Sequence, residues 1–451
     1  MQLAENKAFD RWSNYLGAMR DRDFCVSTGR VTKVSSLVIE SLGPKVFVGE
    51  LCKITGHGKH ASSCMAEVVG LRDRSVLLMP FGETRGIGLD GDVVGTGASV
   101  SIGIGPGLLG RVIDPFGRPL DSHPIADVDG EVALRGEHRN PLSRRKITSV
   151  FETGMRAVDT FLPIGKGQRV GIFAGSGVGK STLLGMIARD SRCDVNVIAL
   201  IGERGREVGE FLAQTLGESG LARSVVVVAT SDQPALVREL AAHTATAVAE
   251  YFCGCGKDVL LIMDSVTRFA MAHREIGLSV GEPATARGYT PSAFAALPRL
   301  LERAGSFEGC GSITGIYTVL VEGDDLHEPV SDHMRAILDG HIVLSRDLAN
   351  QGHYPAIDLL KSVSRLASDL WSKQERETIR AALRLLSARE RHRDMIEIGA
   401  YRHGSNSEVD EAVSVYPDIE RFLMQDPDEV EPRQAAFAKL QSLMANRRAK
   451  P

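Results

Sequence analysis

The sequence predicts a multidomain protein: a small β-barrel or sandwich near the N-terminus, a central α/β domain with a mostly parallel sheet, and a helical C-terminal domain. From residue 29 to 104, short β-prone runs alternate with glycine-rich turns, the spacing of a small all-β domain. From residue 150 to 370, apolar strand-like runs alternate with helical ones, the pattern of a parallel sheet wrapped by helices. After residue 370 strand-like runs disappear, and Arg and Glu become dense.

These changes in pattern set the expected domain boundaries. We expect an amphipathic N-terminal helix over residues 1–25, the small β domain over 26–104, a Gly- and Pro-rich connector over 105–149, the α/β domain over 150–370 and the helical domain over 371–451. The first segment predicts a helix that docks on a partner protein, on a membrane surface as a peripheral contact, or on its own chain. Its apolar stripe consists of Leu3, Phe9, Trp12, Leu16 and Met19.

Composition narrows the class of protein. A length of 451 residues exceeds what one hydrophobic core supports and suggests about three domains. The formal net charge of −4 gives no signature of a nucleic-acid partner, so we expect none. No apolar run approaches the roughly 20 residues that cross a bilayer, and the first residues lack a secretory signal pattern, so we expect a cytoplasmic protein. Irregularly spaced cysteines fit reduced thiols.

The most informative stretch is residues 174–181, AGSGVGKS, which join a strand-like run to a helix-like run. Glycines let the backbone aim successive N–H groups at phosphate oxygens, and the helix N-terminus adds positive dipole. Lys180 is placed to reach the terminal phosphates, and the Ser181 hydroxyl to hold Mg²⁺. We therefore expect a bound nucleoside triphosphate with Mg²⁺, although Ala174 replaces the usual first glycine. The candidate binding residues are Gly175, Ser176, Gly177, Val178, Gly179, Lys180, Ser181 and Thr182.

Two carboxylates that follow strand-like runs are candidates for catalysis. Asp264 ends the apolar run 258–264, where a carboxylate can complete Mg²⁺ coordination beside the phosphate loop. Glu203 follows the run 195–201, at a strand end where ligands of open α/β sheets gather, and can deprotonate an attacking water. The alternative for Glu203 is an acidic residue favoured by a helix dipole. Arg268 is placed either to face the same site or to form a surface salt bridge.

Two residues further along the chain are weaker candidates on residue chemistry alone. Tyr354 stands in a turn bounded by Gly352 and Pro355, and Arg365 follows a serine. An aromatic face can stack a nucleotide base, and an arginine can reach into a neighbouring subunit's active site. The sequence leaves open that the tyrosine only packs and that the arginine is only structural.

Taken together, these segments resemble the catalytic-subunit family of rotary-type ATPases over nearly the whole chain. Within that family the match is to the type III secretion group, which includes the flagellum-specific export ATPases. The resemblance implies an N-terminal β-barrel, a central RecA-like P-loop domain with a parallel sheet, and a C-terminal helical domain. The matching segments are residues 105–114 (GPGLLGRVID), 174–181 (AGSGVGKS), 202–208 (GERGREV), 264–272 (DSVTRFAMA) and 291–305 (PSAFAALPRLLERAG).

The resemblance implies ATP hydrolysis and a role in it for each candidate residue. Lys180 and Ser181 would hold phosphate and Mg²⁺. Asp264 and Glu207 would act on the Mg²⁺ shell, and Glu203 would polarise the attacking water.

The resemblance implies further roles that require more than one chain. Arg204 and Arg268 would flank the γ-phosphate, and Tyr354 would stack on adenine. Arg365 would be a finger that reaches into the next subunit, so the working enzyme would be a ring, in this family a homohexamer. The implied partners are a regulator protein on the N-terminal helix, a stalk protein in the ring pore, the export gate, and chaperone–cargo complexes. The implied location is the cytoplasmic face of the inner membrane, peripheral to the export apparatus.

Several alternatives remain at this point. Glu203 disfavours a non-catalytic ring subunit, which usually carries Gln there. Residues 398–410 lack the acidic lever sequence of the ATP synthase β subunit, and Gly205 stands where the synthase pattern has Thr. The leading hypothesis is ATP-driven export of flagellar proteins. The others are a virulence or symbiosis secretion ATPase, a nucleotide-binding scaffold, and an RNA translocase, which the acidic balance disfavours.

Overall fold

The computed structural model describes residues 27–58, 60–121, 123–136, 140–321, 323 and 325–446. The chain falls into two compact units, divided between Val100 and Ser101. The amphipathic helix expected over residues 1–25 lies outside the described residues.

The first unit is a closed barrel of antiparallel strands in the order β1-β2-β5-β4-β3-β6. Side chains alternate between the core and the surface: in β3, Cys52 and Ile54 are fully buried, whereas Lys53 between them is exposed. Closure leaves no unpaired sheet edge, and the expectation of a small β-barrel is confirmed. The strands are β1 (Thr28–Val34), β2 (Ile39–Leu42), β3 (Glu50–Thr55), β4 (Ser63–Arg72), β5 (Ser75–Pro80) and β6 (Asp92–Ser99).

The second unit is built on a nine-stranded sheet, and its strands are listed here with the short pairs beside it. They are β7 (Ser101–Ile104), β8 (Arg111–Ile113), β9 (Gly130–Ala133), β10 (Val150–Phe151), β11 (Ile164–Gly165), β12 (Arg169–Ala174), β13 (Val195–Ile201), β14 (Ser224–Ala229), β15 (Asp258–Asp264), β16 (Gly305–Ser306), β17 (Ser312–Leu320), β18 (Gly340–Leu344) and β19 (Ile357–Ser364). The sheet order is β19-β18-β12-β17-β15-β13-β14-β8, with β16 paired to β17. All its pairings are parallel except those of β16 and β19.

Helices cover the sheet and form the C-terminal domain. They are α1 (Arg156–Phe161), α2 (Lys180–Asp190), α3 (Gly205–Glu210), a π-helix (Phe211–Leu216), α4 (Gly217–Ala222), α5 (Ala235–Gly254), α6 (Val266–Ser279), α7 (Pro291–Leu301), α8 (Pro329–Ile337), α9 (Arg346–Asn350), α10 (Ala367–Leu370), α11 (Lys373–Arg391), α12 (Arg393–Glu397), α13 (Ser407–Leu423) and α14 (Arg433–Asn446). Every residue of β13 is buried, as expected for a parallel strand with both faces covered. The predicted α/β domain and helical C-terminal domain are confirmed.

Local sequence accounts for several helix ends. Ser372 and Glu375 form a reciprocal capping box that starts α11. The Ser265 hydroxyl accepts the Arg268 N–H at the start of α6, and the Asn406 side chain caps α13. Among the residues that the structure describes, no helix is both long and apolar enough to span a membrane.

The connector contributes to the folded second unit. Strand β8, inside the 105–149 segment, pairs in parallel with β14 and forms one edge of the central sheet. Strand β7 pairs with β9 rather than with the barrel, so the run from Ser99 to Ile104 divides between two sheets. Short strands of three or four residues among glycines and prolines carry little pattern of their own, and their partners are distant in sequence.

The sheet topology places the candidate residues at one edge. The phosphate loop follows β12, Glu203 follows β13, and Asp264 ends β15. Because these strands are parallel, their carboxyl ends lie at the same edge of the sheet, where ligands of open α/β folds bind.

Replacement of Leu260 by Ala should lower the free energy of unfolding of the second unit by about 3 kcal/mol. Leu260 lies in the centre of the sheet in β15 and is fully buried, so truncation removes packing and leaves a cavity. Denaturant unfolding measures the change. The matched control is Leu142→Ala, at a side chain that is 88% exposed, which should shift stability by less than about 0.5 kcal/mol. Equal losses in both variants would contradict this placement of β15.

Candidate active site

The phosphate loop connects the carboxyl end of β12 to the first turn of α2. Gly177 and Gly179 have φ angles of 77° and 87°, a conformation that side chains other than glycine rarely adopt. A Cβ at Gly177 would meet open space, so its backbone conformation rather than crowding requires glycine there. Ala174, at the position of the usual first glycine, is the last residue of β12 and pairs with Leu320. An extended strand position accepts a side chain, so this departure leaves the loop intact.

Lys180 is held between two carboxylates. Its Nζ lies 2.5 Å from Asp264 Oδ1 and 3.7 Å from Glu203 Oε1, and its side chain is only 12% exposed. Thr318, on β17, donates its hydroxyl to the same Asp264 oxygen over 2.7 Å. Poor solvation strengthens such ion pairs relative to surface pairs. The structure therefore brings together the predicted phosphate-binding lysine and both predicted carboxylates.

Glu203 and Glu207 are neighbouring carboxyl groups whose pKa values move in opposite directions. Burial, a hydrogen bond to Glu207 and the charge of Asp264 raise the pKa of Glu203 to about 7, against the opposing charge of Lys180. The same hydrogen bond is the main cause that lowers the pKa of Glu207, so Glu203 is protonated more readily than Glu207. A carboxyl group that titrates near neutral pH is suited to accept a proton from water.

These groups border a cavity of about 850 Å³. Val178 is 1% exposed and does not line it, and Asp264 reaches it through Lys180. The predicted site residues that line the cavity are Gly175, Ser176, Gly177, Gly179, Lys180, Ser181, Thr182, Glu203, Arg204, Glu207 and Arg268. A concave site of this size accommodates a drug-sized ligand with its charged groups.

The two predicted arginines differ in environment. Arg268 lines the cavity and has a buried Nε without a hydrogen-bond partner in the described part of the chain. Its stem packs closely on Gly202, where a Cβ would lie 3.2 Å from the arginine carbons. The guanidinium adds positive charge to the cavity lining, which favours an anionic ligand there. Arg204 is 82% exposed and lies 3.8 Å from Glu207.

Sequence reasoning missed several cationic residues that line the same cavity, namely Arg274, Arg287 and Arg346. Arg346 begins α9 directly after the carboxyl end of β18, so the rule that singled out the two carboxylates could have found it. Arg287 has a φ of 49° and donates to Asp325 over 2.9 Å. No sequence signal marks Arg287, because only the fold brings its turn to the sheet edge.

Tyr354 lies against the end of the phosphate loop and is 45% exposed. A Cβ at Gly179 would lie 3.3 Å from the tyrosine ring. With Pro355, this ring lines a second cavity of about 560 Å³, bordered also by Thr182 of α2 and by residues of the 421–429 stretch. The two cavities share the end of the loop, a position that suits a base attached to bound phosphates.

Arg365 lies away from the phosphate loop of its own chain. It follows β19, whose Ser364 pairs with Gly340 at the amino end of β18. The loop instead follows the carboxyl end of β12, which runs parallel to β18. The Arg365 side chain is exposed and donates to the Arg335 carbonyl over 2.9 Å. Within one chain, the predicted finger and the loop therefore lie at opposite edges of the sheet.

The residues present fit a nucleoside triphosphate with Mg²⁺. The glycine conformations of the loop, Lys180 and the unpaired Nε of Arg268 all suit an anion. The Ser181 hydroxyl and the Asp264 and Glu207 carboxylates are oxygen ligands of the kind that Mg²⁺ prefers.

Three segments match known protein families. Residues 154–364 match the nucleotide-binding domain of the ATP synthase alpha/beta family, and residues 31–97 match the beta-barrel domain of that family. Residues 371–442 match the T3SS EscN ATPase C-terminal domain. The matches follow the order of the barrel, the sheet and the C-terminal helices.

Relatives and solved structures match over most of the chain. The flagellum-specific ATP synthase of Bacillus subtilis (strain 168) is 52% identical over 418 residues, 93% of this chain and 95% of that protein. The assembled ATPase EscN of the enteropathogenic E. coli type III secretion system is 42% identical, with a TM-score of 0.87 over 92% of this chain and all of that one. EscN in complex with its central stalk EscO gives 42% identity and a TM-score of 0.84 over the same shares. The chain belongs to the ATP synthase alpha/beta family, as an ATPase of the flagellum-specific and type III secretion group.

Proposed function

We propose that the protein hydrolyses ATP in a Mg²⁺-dependent reaction and thereby powers or primes export of flagellar proteins through the flagellar type III secretion apparatus. The observation that carries the catalytic part is the half-buried carboxylate of Glu203 beside Lys180 at the phosphate loop. Identity of 52% to a flagellum-specific ATP synthase, against 47% to a type 3 secretion system ATPase, supports the flagellar assignment.

Residues of one chain bind the triphosphate and activate water. The loop N–H groups and Lys180 bind the phosphates, and the Ser181 hydroxyl with Asp264 and Glu207 holds Mg²⁺. When bound, Mg²⁺ neutralises charge on the phosphate oxygens. Glu203 takes a proton from the attacking water, and its pKa of about 7 lets it do so at neutral pH.

Arginines and an aromatic ring complete the site on either side of the phosphates. Arg268, whose side chain lines the cavity, donates to the γ-phosphate, and the more exposed Arg204 adds positive charge nearby. Tyr354 stacks on adenine in the second cavity, next to Gly179.

A complete site requires a second copy of the chain. Arg365 is exposed and remote from its own phosphate loop, so we assign it to the site of a neighbouring subunit in a hexameric ring. An arginine supplied in trans stabilises the charge that develops on the transferred phosphoryl group. The assembled state of EscN, 42% identical to this chain, supports a ring.

Further partners follow from the likeness to relatives. The complex of EscN with its central stalk EscO supports a stalk protein in the ring pore. We also propose a regulator on the N-terminal segment, the export gate and chaperone–cargo complexes as partners, at the cytoplasmic face of the inner membrane.

A non-flagellar secretion system is the second candidate, because residues 371–442 match the EscN C-terminal domain. A gene deletion in the source organism distinguishes flagellar export from secretion by a non-flagellar system. Deletion of the gene should abolish motility and the release of flagellar proteins, and the wild-type chain should restore both. Loss of a different secreted set with normal motility would favour the second candidate.

The substitution Glu203→Gln should lower kcat by about 10²- to 10⁴-fold while ATP binding stays close to wild type, because the amide cannot accept the proton from water. Steady-state turnover and equilibrium ATP binding measure the two effects. The matched control is Glu210→Gln in α3, where Glu210 pairs with Arg206 over 2.7 Å outside the cavity. Unchanged turnover in Glu203→Gln would remove this residue from the mechanism. Flagellar export that persists in a strain with an inactive Glu203→Gln enzyme would favour the scaffold hypothesis.

The activity should rise with pH through about 7, because only the ionised form of Glu203 accepts a proton and its pKa is raised to about 7. The profile of kcat/KM against pH reports this group in the free enzyme. In Glu207→Gln the rise should move to lower pH, because the neutral amide removes the negative charge that raises the pKa of Glu203 and its NH2 group can donate to the ionised Glu203 carboxylate. A profile that is the same in both proteins would show that this carboxyl pair does not control the pH dependence.

The substitution Arg365→Ala should abolish ATPase activity without preventing ring assembly, which light scattering follows at increasing protein concentration. Mixed rings of Arg365→Ala and Glu203→Gln chains should regain activity, because some interfaces then combine an intact loop and carboxylate with an intact finger. The control Lys361→Ala changes an exposed cation on the same strand and should retain activity. Full activity of Arg365→Ala, proportional to the concentration of monomer, would exclude the shared site.

A further inference from the structure

The second cavity has a wall that belongs to the C-terminal domain. Residues 424–432 connect α13 to α14, and we refer to them as the 424–432 segment. Met424, Gln425 and Glu429 of this segment line the cavity together with Tyr354. This segment lines the second cavity and does not line the cavity at the phosphate loop.

Gln425 ties the segment to the α/β domain. It is 4% exposed, and its backbone N–H donates to the Tyr354 carbonyl over 2.9 Å. Its side-chain Nε2 donates to the carbonyls of Gly154 and Glu429 over 2.8 and 2.6 Å, and its Oε1 accepts the N–H of Arg156 over 2.8 Å. The segment is thus bonded directly to the tyrosine backbone and to the start of α1.

Arg156, the first residue of α1, donates hydrogen bonds to the same segment and to the end of α13. Its guanidinium is 8% exposed and does not line the cavity. Its Nε donates to the Phe422 carbonyl over 2.8 Å, and its Nη atoms lie 3.0 Å from a carboxylate oxygen of Glu429 and of Glu431. A further hydrogen bond reaches the Met424 carbonyl. A planar guanidinium can meet these acceptors together, and a lysine ammonium cannot.

We propose that Arg156 is a positioning residue for the nucleotide base, because it holds the C-terminal wall of the base cavity against the α/β domain. The proposal rests on the proposed binding of ATP with its base at Tyr354. A buried charge that loses its partners is strongly unfavourable. Arg156 therefore favours the one arrangement of the segment in which its carboxylate and carbonyl partners stay within hydrogen-bond distance. Base affinity is therefore coupled to the position of the C-terminal domain, and phosphate affinity is not.

The test compares two ligands that differ only in having a base and sugar. Titration calorimetry of the full-length protein with Mg²⁺ gives the dissociation constants of ATP and of inorganic triphosphate. In Arg156→Lys the constant for ATP should rise by about tenfold and that for triphosphate by less than about twofold. The matched control is Arg303→Lys: Arg303 is equally buried, pairs with Glu250 over 2.6 Å, and bonds to the Leu134 carbonyl away from the segment. Both constants should stay at wild-type values in the control.

Other outcomes would overturn the proposal. Equal weakening of ATP and triphosphate in Arg156→Lys would indicate general damage to the fold, and no weakening of either would exclude a positioning role. Wild-type affinities that are equal for both ligands would show that the base contributes nothing. If Arg156→Lys does not fold, Glu431→Gln removes the negative charge of one partner outside the cavity and should weaken ATP binding selectively by a smaller factor. A protein that binds ATP tightly without hydrolysing it would contradict the proposed function and not this one, because both constants are equilibrium measurements.

Discussion

The active site depends on the charge balance of Lys180 between Asp264 and Glu203. Asp264 and Glu203 are poorly solvated and repel each other. Lys180 offsets both the repulsion and the lost hydration, because its Nζ lies 2.5 Å from Asp264 and 3.7 Å from Glu203. The parallel sheet makes that geometry available, since β12, β13 and β15 end at the same edge. A bound nucleotide would place negative phosphates beside Lys180, and its metal ion would place positive charge beside the carboxylates. Nucleotide binding would therefore change the balance of charge among Lys180, Asp264 and Glu203.

The same charges set the titration of Glu203. Burial, the hydrogen bond to Glu207 and the charge of Asp264 raise its pKa, the charge of Lys180 lowers it, and together they place it at about 7. Arg268 lines the cavity, whereas Arg365 lies at the opposite edge of the sheet. In the proposed function, phosphate binding is complete within one chain and stabilisation of the transferred phosphate is divided between chains. Such a division would make turnover depend on assembly.

The C-terminal domain contributes one wall of the cavity that Tyr354 lines. Its 424–432 segment meets Tyr354 through the Gln425 backbone and is held from the α/β domain by Arg156. The phosphate cavity and the second cavity share Gly179 and Thr182, but only the second is lined by the 424–432 segment. The proposed role of Arg156 implies that movement of the C-terminal domain and affinity for the base are coupled in both directions.

The sequence by itself determined the elements that local patterns encode. The phosphate loop, the strands before it and before Glu203, and the strand that ends in Asp264 are read from apolar runs and glycine spacing, since one strand and one turn need only neighbouring residues. Only the tertiary structure decided which distant segments come together. Examples are the edge strand β8, the lining of the cavity by Arg287 and Arg346, and the hydrogen bonds of Arg156 to residues more than two hundred positions away. These contacts join segments that are distant in sequence. They depend on packing and charge in three dimensions, which produce no periodic pattern in the sequence.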